Sequence, residues 1–454
     1  LSRLFGTNGI RGIVNRELTP SFVLELSEAV GVYFNGGKVA LGCDGRTSSP
    51  MFMDAAASGL LAVGCDVNDL GLAPTPAVQY NVKASNLDGG VIITASHNPR
   101  EYNGLKVLDR SGVELSRDME VEVEKIYFEK SWVKSDWKGI GVRKREINVL
   151  ENYMESIKRH VDTDRIRRAK FRVVVDPANG VGALVTPKLL EQLGCKVHMI
   201  NGNIDGSFPS RSPEPTPENL RGLVEAVKSF GADLGVAHDG DADRSIFVDE
   251  SGRVHWGDRT FAVIMKFFLE RNPGETVVTP VSSSQLVEEI AKSYGGRVEW
   301  TKVGAVEVSW RMLKIGAKLG GEENGGVLYA PHLAVRDGAM TACLILNIMA
   351  EAGRNLSEIV AELPSYQTVK EKVACPNDLK QKVLEKLREE ASGLRVETID
   401  GVKVWFEDGS WILVRPSGTE PVYRFFAEAK TRDKAAELVS KYRSLVQRYV
   451  SETN

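Results

Sequence analysis

The sequence predicts an α/β protein: three similar mixed α/β domains in series, followed by a smaller C-terminal α+β domain. Three observations point this way. The chain has 454 residues, too many for one hydrophobic core and enough for about three or four domains. Three separate segments repeat one pattern, a short β-rich run, a polar Gly/Ser loop and then a helical period. Beyond about Leu363 that pattern gives way to an amphipathic stretch and closely spaced strand signals.

The first domain is expected over residues 1–150. There Lys38-Val39-Ala40-Leu41-Gly42 leads into Asp44-Gly45-Arg46-Thr47-Ser48-Ser49. A second apolar run, Gly90-Val91-Ile92-Ile93, ends in a Ser/Asn/Pro loop, and Gly104-Leu105-Lys106-Val107 reads as a further strand. Helical spacing from Leu150 to His160 bridges to the second domain, 151–252, where Arg172-Val173-Val174-Val175 leads into Asp176-Pro177-Ala178-Asn179-Gly180. Ser251-Gly252 marks the expected boundary with the third domain, 253–364, in which Thr276-Val277-Val278-Thr279 leads into Val281-Ser282-Ser283-Ser284. Buried strands alternating with helices argue for α/β layers. The last domain, 365–454, reads as an amphipathic helix from Asp378 to Leu394, then strands Gly401 to Phe406 and Trp411 to Val414, a strand Tyr423 to Ala429 and a closing helix. Asp408-Gly409 between two apolar runs is a hairpin signal.

Composition narrows the function. With 42% hydrophobic and 26% charged residues the chain is ordinary for a globular protein. A formal charge of -3 argues against non-specific nucleic-acid binding. No apolar run is long enough for a bilayer, and Leu1 to Gly6 lacks the apolar core of a signal peptide. The five cysteines lie far apart with no C-x-x-C pair, which suits reduced thiols in a cytoplasm.

Two loops carry the strongest chemistry. Thr94-Ala95-Ser96-His97-Asn98-Pro99 places a hydroxyl where a strand ends, the usual place for ligands in an α/β sheet. It is not a nucleophile elbow, since Thr94 and Asn98 stand where glycines are needed. Lys106, in an otherwise apolar strand soon after, is a candidate charge or proton donor. Asp239-Gly240-Asp241-Ala242-Asp243-Arg244 sets three carboxylates at alternating positions between apolar runs. Like charges so close call for a cation, and a hard dication such as Mg²⁺ fits oxygen ligands while leaving room for a phosphate oxygen. An EF-hand is disfavoured, because Arg244 replaces the turn glycine and the flanks read as strands.

Two further loops suit a sugar phosphate. In Gly320-Gly321-Glu322-Glu323-Asn324-Gly325-Gly326, Glu322 and Asn324 project at alternating positions and suit vicinal hydroxyls. In Arg415-Pro416-Ser417-Gly418-Thr419-Glu420-Pro421, a guanidinium and two hydroxyls surround Gly418, which suits a phosphate dianion. No Walker A sequence occurs.

Taken together, the four loops resemble those of the α-D-phosphohexomutase family, in the family's order and over essentially the whole chain. Phe5-Gly6-Thr7-Asn8-Gly9-Ile10-Arg11-Gly12 is similar to that family's opening. The resemblance implies a C-terminal domain of TATA-binding-protein-like fold that moves as a hinge. It implies that Ser96 is a phosphoserine, that Asp239, Asp241 and Asp243 bind Mg²⁺ with the Ser96 phosphate, and that Lys106 is the general acid/base, aided by Arg11, His97 and Arg244. Glu322 and Asn324 would recognise the sugar, and Arg415, Ser417, Gly418 and Thr419 would clamp the distal phosphate. The implied activity interconverts hexose 1-phosphate and hexose 6-phosphate through a hexose 1,6-bisphosphate.

The chain also departs from the family. Its sugar loop often reads G-E-x-S-G-H, whereas Asn324 and Gly326 stand here at the serine and histidine positions, and Thr301 to Ala305 lacks a histidine that some relatives carry. The variant loop resembles that of archaeal-type members, several of which accept both glucose and mannose phosphates. The expectation is thus a phosphomannomutase/phosphoglucomutase, with phosphoglucosamine mutase as the alternative. A metal-dependent sugar phosphatase and a non-enzymatic calcium or sugar-phosphate binder are more distant readings. Monomer and homo-oligomer both remain open.

Overall fold

The computed structural model describes residues 3–418 and 420–453. Four sheets follow one another along the chain. In the first, Lys38–Cys43 is central, with Asp66–Leu72 parallel on one side and Gly89–Ile93 parallel on the other. Tyr102–Asp109 then returns antiparallel to Gly89–Ile93, and Ile10–Ile13 closes that edge. The second sheet repeats this order with Arg172–Asp176 central, Lys196–Met199 and Leu234–His238 beside it, and Ser245–Asp249 antiparallel. The third repeats it again with Thr276–Pro280 central, Arg297–Thr301 and Leu319–Gly321 beside it, and Val327–Tyr329 antiparallel. The weak repeat in the sequence is therefore a real one, and each copy begins with the central strand of a sheet.

Residues of these central strands explain their place. Val39, Ala40 and Leu41 are wholly buried, as are Val174 and Val175 and Val277 and Val278. Parallel strands covered on both faces by helices read as unbroken apolar runs. One continuous core cluster draws residues from all three repeats, from Ala40 to Leu363. The fourth sheet is wholly antiparallel and has its own core, built on Val404, Ile412, Phe425, Leu438 and Tyr442 among others.

The C-terminal hairpin forms as expected. Trp405 pairs with Trp411, Gly409 has φ of +78°, and Asp408 Oδ1 accepts from the Ser410 amide. The predicted helix from 378 to 394 is shorter, Lys380–Glu390, and the left-handed Gly393, φ +87°, prevents its extension to 394. The expected boundary at 252 falls inside a tight turn. Asp249 accepts from the Ser251 amide, Gly252 has φ of +85°, and Val254–His255 still pairs with Phe247 and Val248 of the second sheet.

This repetition positions the site. In each of the three repeats, one hairpin joins the third parallel strand to its antiparallel neighbour. The serine loop, the aspartate loop and the Glu322 loop are those three hairpin tips.

Candidate active site

The serine and aspartate loops meet directly. Ser96 is fully buried and its Oγ donates to Asp239 Oδ2 at 2.8 Å. Its φ of +51° lies in the left-handed region, a strained conformation that aims the hydroxyl off the strand end. Gly240 makes the approach possible, since a Cβ there would lie 2.6 Å from the Ser96 carbonyl oxygen. Arg46, 1% exposed, buckles the serine loop from below. Its guanidinium donates to the carbonyls of Ser96, Asn98, Pro99 and Tyr102 and to Asp44. Thr94 Oγ1 accepts from the Ser96 amide and donates to Asp44 Oδ2.

Asp239, Asp241 and Asp243 bring ligand oxygens within 4.8 Å of one another, all from buried residues. Asp241 Oδ1 and Asp243 Oδ1 are buried without a hydrogen-bond partner. Oxygens of this kind, with no protein donor, suit a hard divalent cation. Burial and the two neighbouring aspartates push the Asp239 carboxyl well above the usual carboxylate range. Burial acts the same way on Asp241, but the Lys106 ammonium, the Thr75 hydroxyl and Arg336 outweigh it and hold that carboxyl below its usual value.

Cations ring this cluster. Lys106 is 1% exposed, and its Nζ lies 3.1 Å from Asp241 Oδ2 and 3.3 Å from both Asp243 Oδ2 and Glu114 Oε1. Burial alone would lower the lysine, but Asp241, Glu114 and Asp243 together hold it above its usual value and so keep it charged. Arg244 Nε stands 3.9 Å from Asp239 and 3.8 Å from Asp243. Arg11 donates to the Ala95 carbonyl and to Asn98 Oδ1. His97 Nδ1 is 3.3 Å from Ser96 Oγ. Burial, then Arg244, Arg11 and Arg336, push His97 well below its usual value, which keeps the ring neutral at pH 7.

The sugar loop enters from the third repeat. Glu322 is buried, and burial raises its carboxyl against the pull of Arg336. Asn324 is half-buried and its Oδ1 accepts from the Gly326 amide at 3.2 Å, so part of its capacity braces its own loop. The C-terminal loop is braced within its own domain. Arg415 Nε pairs with Asp400 at 2.8 Å, and Ser417 accepts from Lys380 through its carbonyl and from the Glu420 amide through its hydroxyl. A Cβ on Gly418 would stand 3.6 Å from Thr7 Oγ1, which places this loop beside the N-terminal segment. Thr419 lies outside the described residues.

Four domain families match in series. They are the phosphoglucomutase/phosphomannomutase alpha/beta/alpha domains I, II and III, over residues 2–134, 151–252 and 256–366, and the C-terminal domain over 367–444. The chain belongs to the phosphoglucomutase/phosphomannomutase family. A phosphoglucosamine/phosphogalactosamine mutase of Sulfurisphaera tokodaii is 45% identical to it, over 98% of this chain and 100% of that one. A phosphoglucomutase/phosphomannomutase of Thermococcus kodakarensis is 46% identical, over 96% of this chain and 97% of that one. A crystal structure of a phosphoglucomutase/phosphomannomutase family protein from Burkholderia thailandensis matches with a TM-score of 0.87 at 28% identity, covering 98% of this chain and 97% of that one.

Sequence reasoning missed four residues that the structure brings into this cluster. Thr75, at the start of helix Thr75–Ala84, donates its hydroxyl to Asp241 Oδ2 at 2.7 Å. Glu114 shares Lys106, Arg46 holds the serine loop, and Arg336 reaches both Asp243 and Glu322. Arg46 stood inside a loop already singled out, next to Asp44, and that pairing was the available signal. Thr75 and Arg336 gave no local signal for the aspartate loop, because Asp241 and Asp243 lie far along the chain. Glu114 follows Lys106 closely, but past the end of its strand, where no regular spacing faces the two. Among the described residues no helix is long and apolar enough to cross a membrane.

Proposed function

We propose that this chain interconverts hexose 1-phosphates and hexose 6-phosphates by way of a phosphorylated Ser96 and a hexose 1,6-bisphosphate. The observation that carries the proposal is the 2.8 Å contact of Ser96 Oγ with Asp239, at the mouth of the three-carboxylate cluster. Phosphoserine brings roughly -1.5 to -2 charge. Arg11, Lys106 and Arg244 sit where they offset it, and donors fixed in a buried site lose little reorganisation energy as charge spreads during transfer. Asp239, Asp241 and Asp243 would hold Mg²⁺, which supplies positive charge to the transferring oxygens. In the first half-reaction the Ser96 Oγ–phosphorus bond breaks and a bond from the sugar hydroxyl to phosphorus forms. The proton lost by that hydroxyl is balanced by the one Ser96 gains; charged Lys106 is read as the donor and neutral His97, 3.3 Å from Ser96 Oγ, as the acceptor. The second half-reaction runs this backwards from the other phosphate after the bisphosphate has turned over.

Glu322 and Asn324 are read as ligands of sugar hydroxyls, and Arg415, Ser417, Gly418 and Thr419 as the cradle for the phosphate that is not reacting. The separate core of the last domain supports closure of that cradle as a hinge. Five free, buried cysteines fit a reducing, cytoplasmic setting.

The two relatives above divide between glucose/mannose and glucosamine/galactosamine phosphates at nearly equal identity. The preferred reading is phosphomannomutase/phosphoglucomutase, and phosphoglucosamine mutase fits the comparisons equally. Side-by-side kcat/KM values for glucose 1-phosphate, mannose 1-phosphate and glucosamine 1-phosphate, with Mg²⁺ and a trace of hexose 1,6-bisphosphate, decide between them. Comparable glucose and mannose rates support the first reading, and a strong glucosamine preference supports the second. Release of free phosphate with no isomer formed would sink both.

A further inference from the structure

We propose that Arg336 is a positioning residue that ties the sugar loop to the metal loop, and that position 326 is glycine because Arg336 occupies the space a side chain would need there. Part of this rests on the reading of Glu322 as a sugar ligand.

Arg336 ends strand Leu333–Arg336, opposite Leu328, and is 3% exposed. Its Nη1 lies 3.2 Å from Glu322 Oε2 in the third repeat, and its Nη2 lies 2.5 Å from Asp243 Oδ2 in the second. One planar guanidinium thus bridges two buried carboxylates from two different sheets. A lysine would offer one Nζ in place of two separated donors, so it could hold both carboxylates only if they moved together. The route of the side chain passes over Gly326. A Cβ built on Gly326 would stand 2.4 Å from Arg336 Cδ, 2.9 Å from its Cγ and 3.2 Å from Glu322 Oε2. In this backbone a histidine at 326 and the observed arm of Arg336 exclude one another. The positive charge beside Glu322 comes from 336.

The bridge has two effects of opposite sign. For the sugar, Arg336 fixes one oxygen of Glu322 and leaves the other to accept from a hydroxyl. For the metal, a guanidinium on Asp243 competes with a dication for the same carboxylate. Removal of the arm should therefore weaken the sugar and tighten the metal. General loss of structure would weaken both.

The test uses full-length Arg336→Met, Gly326→Ala and the double variant, with thermal unfolding to confirm that each is folded and Arg336→Lys as a second arginine variant. Calorimetric Mg²⁺ binding without sugar reads the metal side, and KM and kcat for the best hexose 1-phosphate read the sugar side. Arg336→Met should lower the Mg²⁺ Kd severalfold and raise KM by about tenfold or more, since it strips a buried carboxylate of its partner. Gly326→Ala should move both readings the same way by displacing the arm, and adding it to Arg336→Met should change little further. Arg336→Lys should resemble Arg336→Met in KM. Additive losses in the double variant, or Mg²⁺ binding that weakens or stays fixed, overturn the proposal. If wild type isomerises no hexose phosphate, the proposed function fails, and the Mg²⁺ measurements still decide whether Arg336 and Gly326 act as one unit.

Discussion

Lys106 and Asp241 face each other from the first and second sheets, Nζ to Oδ2 at 3.1 Å, and neither is more than 1% exposed. A hairpin strand of one repeat thus delivers an ammonium into the carboxylate cluster of the next. Ser96, Lys106 and the three aspartates are joined in this one buried network, so small changes of loop position should have large effects on rate.

Ser96→Ala removes the only hydroxyl that touches Asp239 in the serine loop. Turnover should fall by about a thousandfold or more, as expected for loss of a covalent carrier. Intact-mass spectrometry should find a phosphoryl adduct on wild type treated with hexose 1,6-bisphosphate and none on the variant. Undiminished mutase activity in Ser96→Ala ends the phosphoserine assignment.

Gly240→Ala tests the contact between the two loops. Its Cβ would meet a backbone carbonyl, that of Ser96, at 2.6 Å, and backbone cannot step aside as a flexible side chain can. A displacement of about 1 Å costs on the order of a hundredfold in rate. The expected result is a folded protein with kcat reduced by about that factor. A variant as fast as wild type shows that the loops need not touch.

Asp241→Asn tests the metal site. Loss of a ligand charge should raise the Mg²⁺ needed for half-maximal activity by at least about tenfold, the lower bound seen when even an outer partner of a metal ligand is lost. Chelation should silence the wild type reversibly. Full activity in the presence of excess chelator counts against the cluster as a metal site.

Much of this was legible in the residues themselves. Val39 to Leu41, Val173 to Val175 and Val277 to Val278 announced buried parallel strands because both faces are covered and no polar alternation is required. Asp408-Gly409 announced a hairpin because the turn itself demands that chemistry. The three carboxylates at 239, 241 and 243 announced a cluster that calls for a cation because their repulsion is local. Arg336 and Thr75 were silent for the converse reason, since Asp243 and Asp241 lie far along the chain. Arg336 follows an apolar strand, and in sequence it is one arginine among many until the third dimension places it on Asp243 and Glu322. The equivalence of the three active loops was hidden too, since their residues share no motif and only the strand order reveals it.

Lys403 carries a pH prediction. It is buried in a cage of Trp300, Trp405 and Trp411, with Nζ 5.0, 4.7 and 4.0 Å from the ring centroids, and it donates to the Val281 carbonyl at 2.9 Å. Trp300 and Val281 belong to the third repeat and the others to the last domain, so the cage lies at their junction. Burying an ammonium costs several kcal/mol, and a desolvated cation–π contact returns about 2. Burial wins, and Lys403 is brought down to about 8 from its ordinary 10.5. A folded-state value below the unfolded one means that the unfolded chain binds more protons between about 8 and 10.5, so stability from this group rises with pH across that window and is flat below it. Thermal midpoints of wild type and Lys403→Met should converge or cross in favour of wild type as pH rises from 8 to 10. Parallel curves over that range contradict the assignment.

The hairpin tips of the three repeats divide the labour of one enzyme. In the proposed reaction the first would hold the group that is passed, the second the charge that steadies it, and the third the hydroxyls that name the guest; the strand pairing sets all three at equivalent tips. Each tip is anchored by paired strands on both sides, so its lettering can be rewritten at little cost to the sheet beneath. Preference among hexoses can drift at the third tip while the transfer machinery at the other two stays as it is. A duplicated scaffold of this kind lets recognition and chemistry evolve on separate clocks.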